Sequence, residues 1–354
     1  MVISRTPFRI SFFGGGTDYP AWYRQHGGSV LSATINKYCY LTCRYLPPFF
    51  EHRIRVVYSK IEDCRTVDEI AHPAVRAILR YSNFDRGLEI HHDGDLPGRS
   101  GMGSSSAFTV GLLHALYALR GQIISKQQLA KESIHIEQDV LKETVGSQDQ
   151  VCAAYGGLNQ INFQPSGEVT VHPLTLSPAR LRELNLHLML FYTGIIRTAS
   201  TVAASYVEDI ETKHSQLKRM AELLRQSLDI LNGGRNLIEF GELLHQSWEA
   251  KRSLSDKVSN SQVDACYAAA RSAGAIGGKL LGAGGGGFLL LFVPLERQPE
   301  VRKHLNNLIY VPFEFEFSGS QIIFFDPQED YAEQEKARYQ QDIAAFKELS
   351  EGAP

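Results

Sequence analysis

Residues Leu96-Pro97-Gly98-Arg99-Ser100-Gly101-Met102-Gly103-Ser104-Ser105-Ser106-Ala107-Phe108 open an apolar run that reaches Leu119, and no other stretch constrains the fold as much. A helix begins with backbone N–H groups that lack an intrahelical partner, and its macrodipole adds positive charge at the same end. Anions are held there readily. Gly98, Gly101 and Gly103 carry no Cβ, so the backbone can take unusual dihedrals and approach a ligand closely. Ser104, Ser105 and Ser106 offer oxygens for an N-cap, a phosphate or a magnesium ion. The apolar run from Ala107 to Leu119 predicts a buried core helix. The stretch is not a Walker A loop, because G-x-x-x-x-G-K-[ST] is absent and no lysine lies in it. Taken alone, such a helix start serves as well as a plain capped turn.

At 354 residues the chain is long enough for two domains, each with a substantial core. With 36 Lys+Arg against 39 Asp+Glu there is no electrostatic footprint for nucleic acid or an anionic membrane, so small molecules are the expected partners. No apolar run approaches membrane-spanning length and the first residues have no signal-peptide core, which predicts a cytoplasmic protein. Cys39, Cys43, Cys64, Cys152 and Cys266 are odd in number and lack C-x-x-C spacing, so buried reduced thiols are expected.

Ile3 to Phe13 reads as a strand pair ending at Gly14-Gly15-Gly16, after which Thr17 or Asp18 can cap a helix through Arg24. Two strands are expected over Ser29–Ile35 and Tyr38–Tyr45 around an Asn36-Lys37 turn, with another at Ile54–Tyr58. A helix over Pro73–Tyr81 and a strand over Leu88–His92 lead into the glycine loop. Ser125 starts a second helix, which carries Glu137. A loop and short helix from Gly146 and a strand over Leu158–Phe163 close the first half. Pro, Ser and Gly between Gln164 and Leu176 place a boundary there, dividing the chain into 1–168 and 169–354. The second half is expected to hold a strand over Leu186–Tyr192, two long helices within Ala199–Ser255, and a glycine-rich hairpin at Lys279–Phe288. Strands near Tyr310–Phe317 and Gln321–Phe325 and a charged helical tail complete it.

Three glycine-rich stretches with Asp149 between the last two are more specific together than any one of them. Thr6-Pro7-Phe8-Arg9-Ile10 with Gly15-Gly16-Thr17-Asp18-Tyr19, then Leu96–Phe108, then Lys279–Phe288, resemble the three motifs of the GHMP small-molecule kinases, the superfamily of galactokinase, homoserine kinase and mevalonate kinase. The resemblance covers nearly the whole chain. It implies a two-domain α/β (α+β) fold, with a first half like domain 2 of ribosomal protein S5, a ferredoxin-like second half, and ATP in the cleft between them. It implies that Gly98, Arg99, Ser100, Gly101, Met102, Gly103, Ser104, Ser105 and Ser106 wrap the ATP phosphates, and that Ser105 and Glu137 share Mg2+. One hydroxyl and one carboxylate beside phosphate oxygens is a sensible magnesium set.

Asp149 matches the aspartate that accepts the proton of the attacking hydroxyl, and Arg9 an arginine that would hold Asp149 ionised. Asp18, with Thr17, Gly15 and Gly16, matches the sugar-binding part of the first motif. Arg197 resembles an element that reaches the active site from the second half, and Gly284 and Gly285 belong to a hairpin expected to pack over the phosphate loop.

Galactokinases carry Gly-Glu-His before Thr-Asp-Tyr, whereas this chain has Gly14-Gly15-Gly16, which argues against galactose. The run from Ile3 to Pro20, continuing through Gly27 to Tyr38, resembles the D-glycero-D-manno-heptose 7-phosphate kinases, as do Val145–Gln150 and Ala153–Asn159. The resemblance implies an ATP- and magnesium-dependent phosphorylation of the anomeric hydroxyl to a 1,7-bisphosphate. An L-fucose or other free-sugar 1-kinase, a non-catalytic sugar and nucleotide sensor, and a diphosphomevalonate decarboxylase-like enzyme are the alternatives. Lys37, Arg24 and a helix start at Thr17-Asp18 are candidates for holding a 7-phosphate. Oligomeric state stays open, a homodimer included.

Overall fold

The computed structural model describes residues 1–195, 199–327 and 330–340. The first half is built on two long strands, β1 (Val2–Phe13) and β2 (Gly28–Tyr45), joined through the glycine turn and the short helix α1 (Pro20–His26). β1 is a single strand where a pair was expected, because it pairs with β2 along its whole length. β3 (Ile54–Val57), β4 (Ile61–Cys64), helix α2 (Pro73–Tyr81) and β5 (Leu88–Gly94) follow, then helices α3 (Ser104–Leu119), α4 (Lys126–His135) and α5 (Gln148–Tyr155). The hairpin β6 (Leu158–Phe163) and β7 (Val169–Pro173) ends the half. Beyond it run α6 (Pro178–His187), β8 (Leu188–Tyr192), α7 (Ala199–Val207), α8 (His214–Asn232), α9 (Ile238–Arg252) and α10 (Ser261–Ser272). The chain continues through β9 (Gly277–Leu280), β10 (Phe288–Phe292), α11 (Gln298–His304), β11 (Ile309–Tyr310), β12 (Phe315–Glu316), β13 (Gln321–Phe325) and α12 (Ala332–Tyr339).

The larger sheet runs β13-β1-β2-β5-β3-β4, with β6, β7 and β12 attached through β2; only β3 and β5 pair in parallel. β2 pairs β6 along Gly28–Ala33 and β5 along Cys39–Tyr45, so one strand serves both ends of the sheet. The expected turn at Asn36-Lys37 is a bulge inside this single strand: Pro7 faces Tyr38 and the next residue, Phe8, faces Ile35. Asn36 is held there because its backbone N–H donates to the carbonyl of Glu314 and its side-chain oxygen accepts from Glu314 N–H at 2.8 Å. A bulge leaves residues unpaired in the ladder, and a distant segment satisfies them here.

α3 lies across β1 and β2 and is buried almost all round, as its apolar run predicts. Ser4 donates to the carbonyl of Gly111 at 2.9 Å, and a Cβ at Gly111 would sit 2.9 Å from Thr6 Oγ1, so the helix rests directly on β1. The second sheet, β11-β8-β10-β9, is wholly antiparallel. Leu188 and Leu190 of β8 and Leu290 and Phe292 of β10 join the core shared with the first half, while Met189, Phe191, Leu289 and Leu291 face a second core with Trp248 and Val263. This alternation is the period of two that a sheet buried on both faces requires.

The sheets do not divide at residue 168. β7 hairpins onto β6, and β12 and β13 return to the first sheet from the end of the chain. β7 occupies the stretch read as a boundary, and the helix α6, with Pro178 in its first turn and Ser177 accepting from Arg180 N–H, follows it where no element was expected. All five cysteines are buried and unpaired, as expected.

Phe240 of α9 joins the halves: its ring meets Phe12 and Phe13 of β1 edge-on at 5.6 and 5.2 Å. It is fully buried. Phe240→Ala is expected to lower stability by about 3–5 kcal/mol, read by urea unfolding; a loss below about 1 kcal/mol would show that this contact does not join them.

Candidate active site

The centre of the site is an ion pair between the first sheet and the start of α5. Arg9 of β1 donates Nε and Nη2 to the two oxygens of Asp149, both at 2.7 Å, and Nη1 to the carbonyl of Gly101 at 2.7 Å. Its backbone N–H donates to the carbonyl of Met102 at 3.1 Å. One arginine therefore fixes both the carboxylate and the glycine loop. The fork is bidentate, the geometry in which guanidinium and carboxylate pair most strongly. Burial works to lower the Arg9 pKa, but the charge and hydrogen bonds of Asp149 outweigh it and raise it. Arg9 is almost wholly enclosed, whereas the Asp149 side chain keeps 24% exposure, so the carboxylate is the side of the pair a substrate can reach. Asp149 also lies in the first turn of α5, where the helix dipole favours negative charge.

The glycine loop makes its turn through three left-handed residues, Arg99 (φ 58°), Gly101 (φ 82°) and Gly103 (φ 74°). Gly103 is the N-cap of α3, and no side chain caps the helix. The serine cap expected from sequence is therefore absent, because the three hydroxyls have other positions. Ser104 Oγ accepts from the Arg99 N–H at 3.2 Å, Ser105 is exposed, and Ser106 is buried against Glu137. Ser100 donates to the carbonyl of Pro97, and a Cβ on Gly98 would meet nothing within 4 Å. The first turn of α3 thus has no side-chain cap, the state in which helix-start amides can meet an anion.

The β9–β10 hairpin packs on this loop backbone to backbone. A Cβ on Gly282 would stand 2.6 Å from Gly101 Cα, one on Gly101 2.7 Å from the carbonyl oxygen of Leu281, and one on Gly287 2.0 Å from that of Ser100. Gly284 and Gly285 instead meet the segment after α9: a Cβ on Gly284 would lie 2.6 Å from the Val258 carbonyl oxygen, and Gly285 N–H donates to that oxygen. The glycines that touch the glycine loop are Gly282 and Gly287.

Asp18 is buried beside this centre. Its oxygens accept from Gly16 N–H at 2.9 Å and from Gln148 Nε2 at 2.9 Å, and burial, with Asp149 nearby, raises its pKa. A Cβ at Gly146 would collide with its carboxylate at 1.9 Å. Neither Asp18 nor Thr17 caps α1, whose N-cap is Tyr19. Thr17 Oγ1 is consumed by the turn, donating to the carbonyls of Gly14 and Ser29 and accepting from Ser29 N–H. Gly15 and Gly16 line the same turn, and a side chain at Gly16 would press on Leu217. Arg197 lies outside the described residues.

Glu137 stands on the single π-turn (Ile136–Val140) that extends α4, fully buried. It accepts from Ser106 at 2.8 Å, from Thr109 at 2.9 Å and from the Gln150 amide. None of these partners is cationic. Burial pushes its pKa up to about 7 against the effect of those three donors. Hard oxygens of this kind, a buried carboxylate with hydroxyls at a helix start, fit a magnesium ion that also binds phosphate oxygens. Of the three serines, the one that reaches Glu137 is Ser106; no hydrogen bond joins Glu137 to Ser105 among the described residues.

Sequence reasoning missed Gln148 and Gln150, which orient Asp18 and Glu137, although both flank Asp149 in the motif quoted for it. It also missed Lys251, which is 6% exposed and donates to the carbonyls of Leu280 and Gly282. Lys279, already in the third motif, is 2% exposed and donates to the carbonyl of Phe12 at 2.8 Å.

Family comparison agrees with this geometry. The GHMP kinases N terminal domain matches residues 69–157 and the GHMP kinases C terminal domain residues 220–310, together about half of the chain. The chain belongs to the GHMP kinases. It is 28% identical over 319 residues to the D-glycero-alpha-D-manno-heptose 7-phosphate kinase of Campylobacter jejuni, covering 86% of this chain and 93% of that one. The bifunctional fucokinase/GDP-fucose pyrophosphorylase of Arabidopsis thaliana is 27% identical over 329 residues, 85% of this chain and 31% of that one. The crystal structure of a D-glycero-D-manno-heptose 1-phosphate kinase from Bacteroides thetaiotaomicron superposes with a TM-score of 0.75 at 25% identity, covering 92% of this chain and 100% of that one. The protein is accordingly an ATP-dependent sugar kinase, a phosphotransferase acting on an alcohol group. No helix among the described residues is long and apolar enough to cross a membrane.

Glu137 gives a pH signature. Its folded pKa lies above the ordinary 4.5, so its contribution to stability is complete below that value and is lost as pH rises toward about 7. In metal-free protein, wild type should lose up to about 3 kcal/mol across that window relative to Glu137→Gln. Parallel stability profiles from denaturant titrations would contradict the buried, cation-free environment assigned to it.

Proposed function

We propose that the protein is an ATP- and magnesium-dependent sugar 1-kinase that phosphorylates the anomeric hydroxyl of D-glycero-D-manno-heptose 7-phosphate, giving the 1,7-bisphosphate. The observation that carries the reading is the Arg9–Asp149 fork beneath the glycine loop, with the carboxylate open on one side. The relative in Campylobacter jejuni supports the substrate. So does the Gly14-Gly15-Gly16 turn, which has no side chains where galactokinases carry Glu-His.

In this reading the loop from Gly98 to Ser106 binds the ATP phosphates through its amides, and Asp18 accepts a sugar hydroxyl. Asp149 takes the proton of the anomeric hydroxyl as that oxygen bonds to the γ-phosphorus and the bond to the β,γ-bridging oxygen breaks, leaving ADP. Arg9 keeps Asp149 aimed through the two bonds of the fork. Glu137, with Ser105 or Ser106, would hold the magnesium ion, which would supply neutralising charge to the phosphate oxygens. A free-sugar 1-kinase acting on L-fucose is the second reading, favoured by the fucokinase relatives.

A coupled ADP-release assay over heptose 7-phosphate, mannose 6-phosphate, L-fucose, galactose and mevalonate separates these. Turnover confined to the heptose phosphate is expected, with kcat/KM at least about a hundredfold above the free sugars. Preference for L-fucose would replace the substrate while leaving the mechanism in place.

A further inference from the structure

Two lysines lie in the interior beside the reaction centre and take no part in the steps above. Lys251 comes from α9 and Lys279 from β9. The first braces the glycine-rich hairpin through the carbonyls of Leu280 and Gly282, and the second ties the same hairpin to Phe12, two residues before Gly14. The charged groups facing them are each other, Arg9, Asp18 and Asp149, with the Trp248 ring 6.0 Å from the Lys251 ammonium. Three cations thus share this interior with two carboxylates, and one positive charge has no counterpart. Burying an unmatched ammonium is costly, so the group moves toward its neutral form. Burial first, then Arg9, lowers Lys279 to about 7 despite Asp18; burial, Lys279 and Arg9 lower Lys251 well below its ordinary value. The negative charge that would balance the set is what a nucleotide's terminal phosphates bring to the adjoining loop.

We propose that Lys251 and Lys279 are positioning residues for phosphoryl transfer: Lys279 takes up a proton from solvent as the terminal phosphates arrive, and with Lys251 it holds the glycine-rich hairpin against the phosphate loop. The inference rests on the ATP-dependent reading of the site. Calorimetric titration of the full chain with magnesium-ATP at roughly pH 8, in buffers of different ionisation enthalpy, reads the protons exchanged. At that pH Glu137 is already largely ionised, so the wild type should take up about one proton per nucleotide through Lys279. Lys279→Arg, which stays charged, should remove this uptake while keeping most of the turnover; Lys279→Met should remove it and lower kcat/KM by about tenfold. Nucleotide binding by wild type with no buffer-dependent heat would overturn the inference and leave the kinase reading intact, and this measurement needs no variant to fold. Failure of ATP to bind at all would overturn both.

Discussion

The fork between Arg9 and Asp149 is the contact on which the rest of the site depends. It spans 140 residues of sequence and is closed by a strand, a loop and a helix start at once, because the third guanidinium nitrogen holds Gly101. A buried arginine without that carboxylate would be an uncompensated charge, and breaking such a pair on one side is strongly destabilising. The fold therefore cannot place β1 against α5 without also aiming Asp149. α3 then contributes its free N-terminal amides at the loop that Arg9 already holds. Positioning and electrostatics, the two things phosphoryl transfer asks of a protein, come from the same set of bonds.

Close backbone approach is the second constraint. Gly101, Gly282 and Gly287 bring the second and third glycine loops together at distances no side chain permits, and Gly14 and Gly28 do the same for the turn that presents Asp18. The two halves meet through these contacts and through Phe240, with little side-chain freedom between the loops. Buried amides complete it: Gln148 and Gln150 satisfy the carboxylates of Asp18 and Glu137, which are otherwise enclosed in low dielectric.

Much of the fold was legible in local signals. α2 over Pro73–Tyr81 and β6 over Leu158–Phe163 have the bounds expected, the first because Pro73 starts it and His72 caps it. The resemblance of the glycine motifs to those of the kinases implied a site around Arg9, Asp149 and Asp18, and the fold brings these three side chains together. What was not legible depends on partners remote in sequence. Asn36-Lys37 has turn chemistry, yet Glu314 makes it a bulge. Glycine rather than serine caps α3, because Ser106 is drawn to Glu137 across 31 residues. Lys251 sits on α9 near Glu249 and Arg252 and looks like a solvated lysine; only the folded hairpin buries it. The return of β12 and β13 to the first sheet has no local signal at all.

The central claim is that Asp149 receives the substrate proton while the nucleotide is held elsewhere. The most direct measurement is paired turnover and ATP affinity for Asp149→Asn, which keeps the shape of the side chain and removes its charge. The account predicts a fall in kcat of about a hundredfold or more, with the dissociation constant for ATP unchanged to within about twofold. Turnover at the wild-type rate would contradict it.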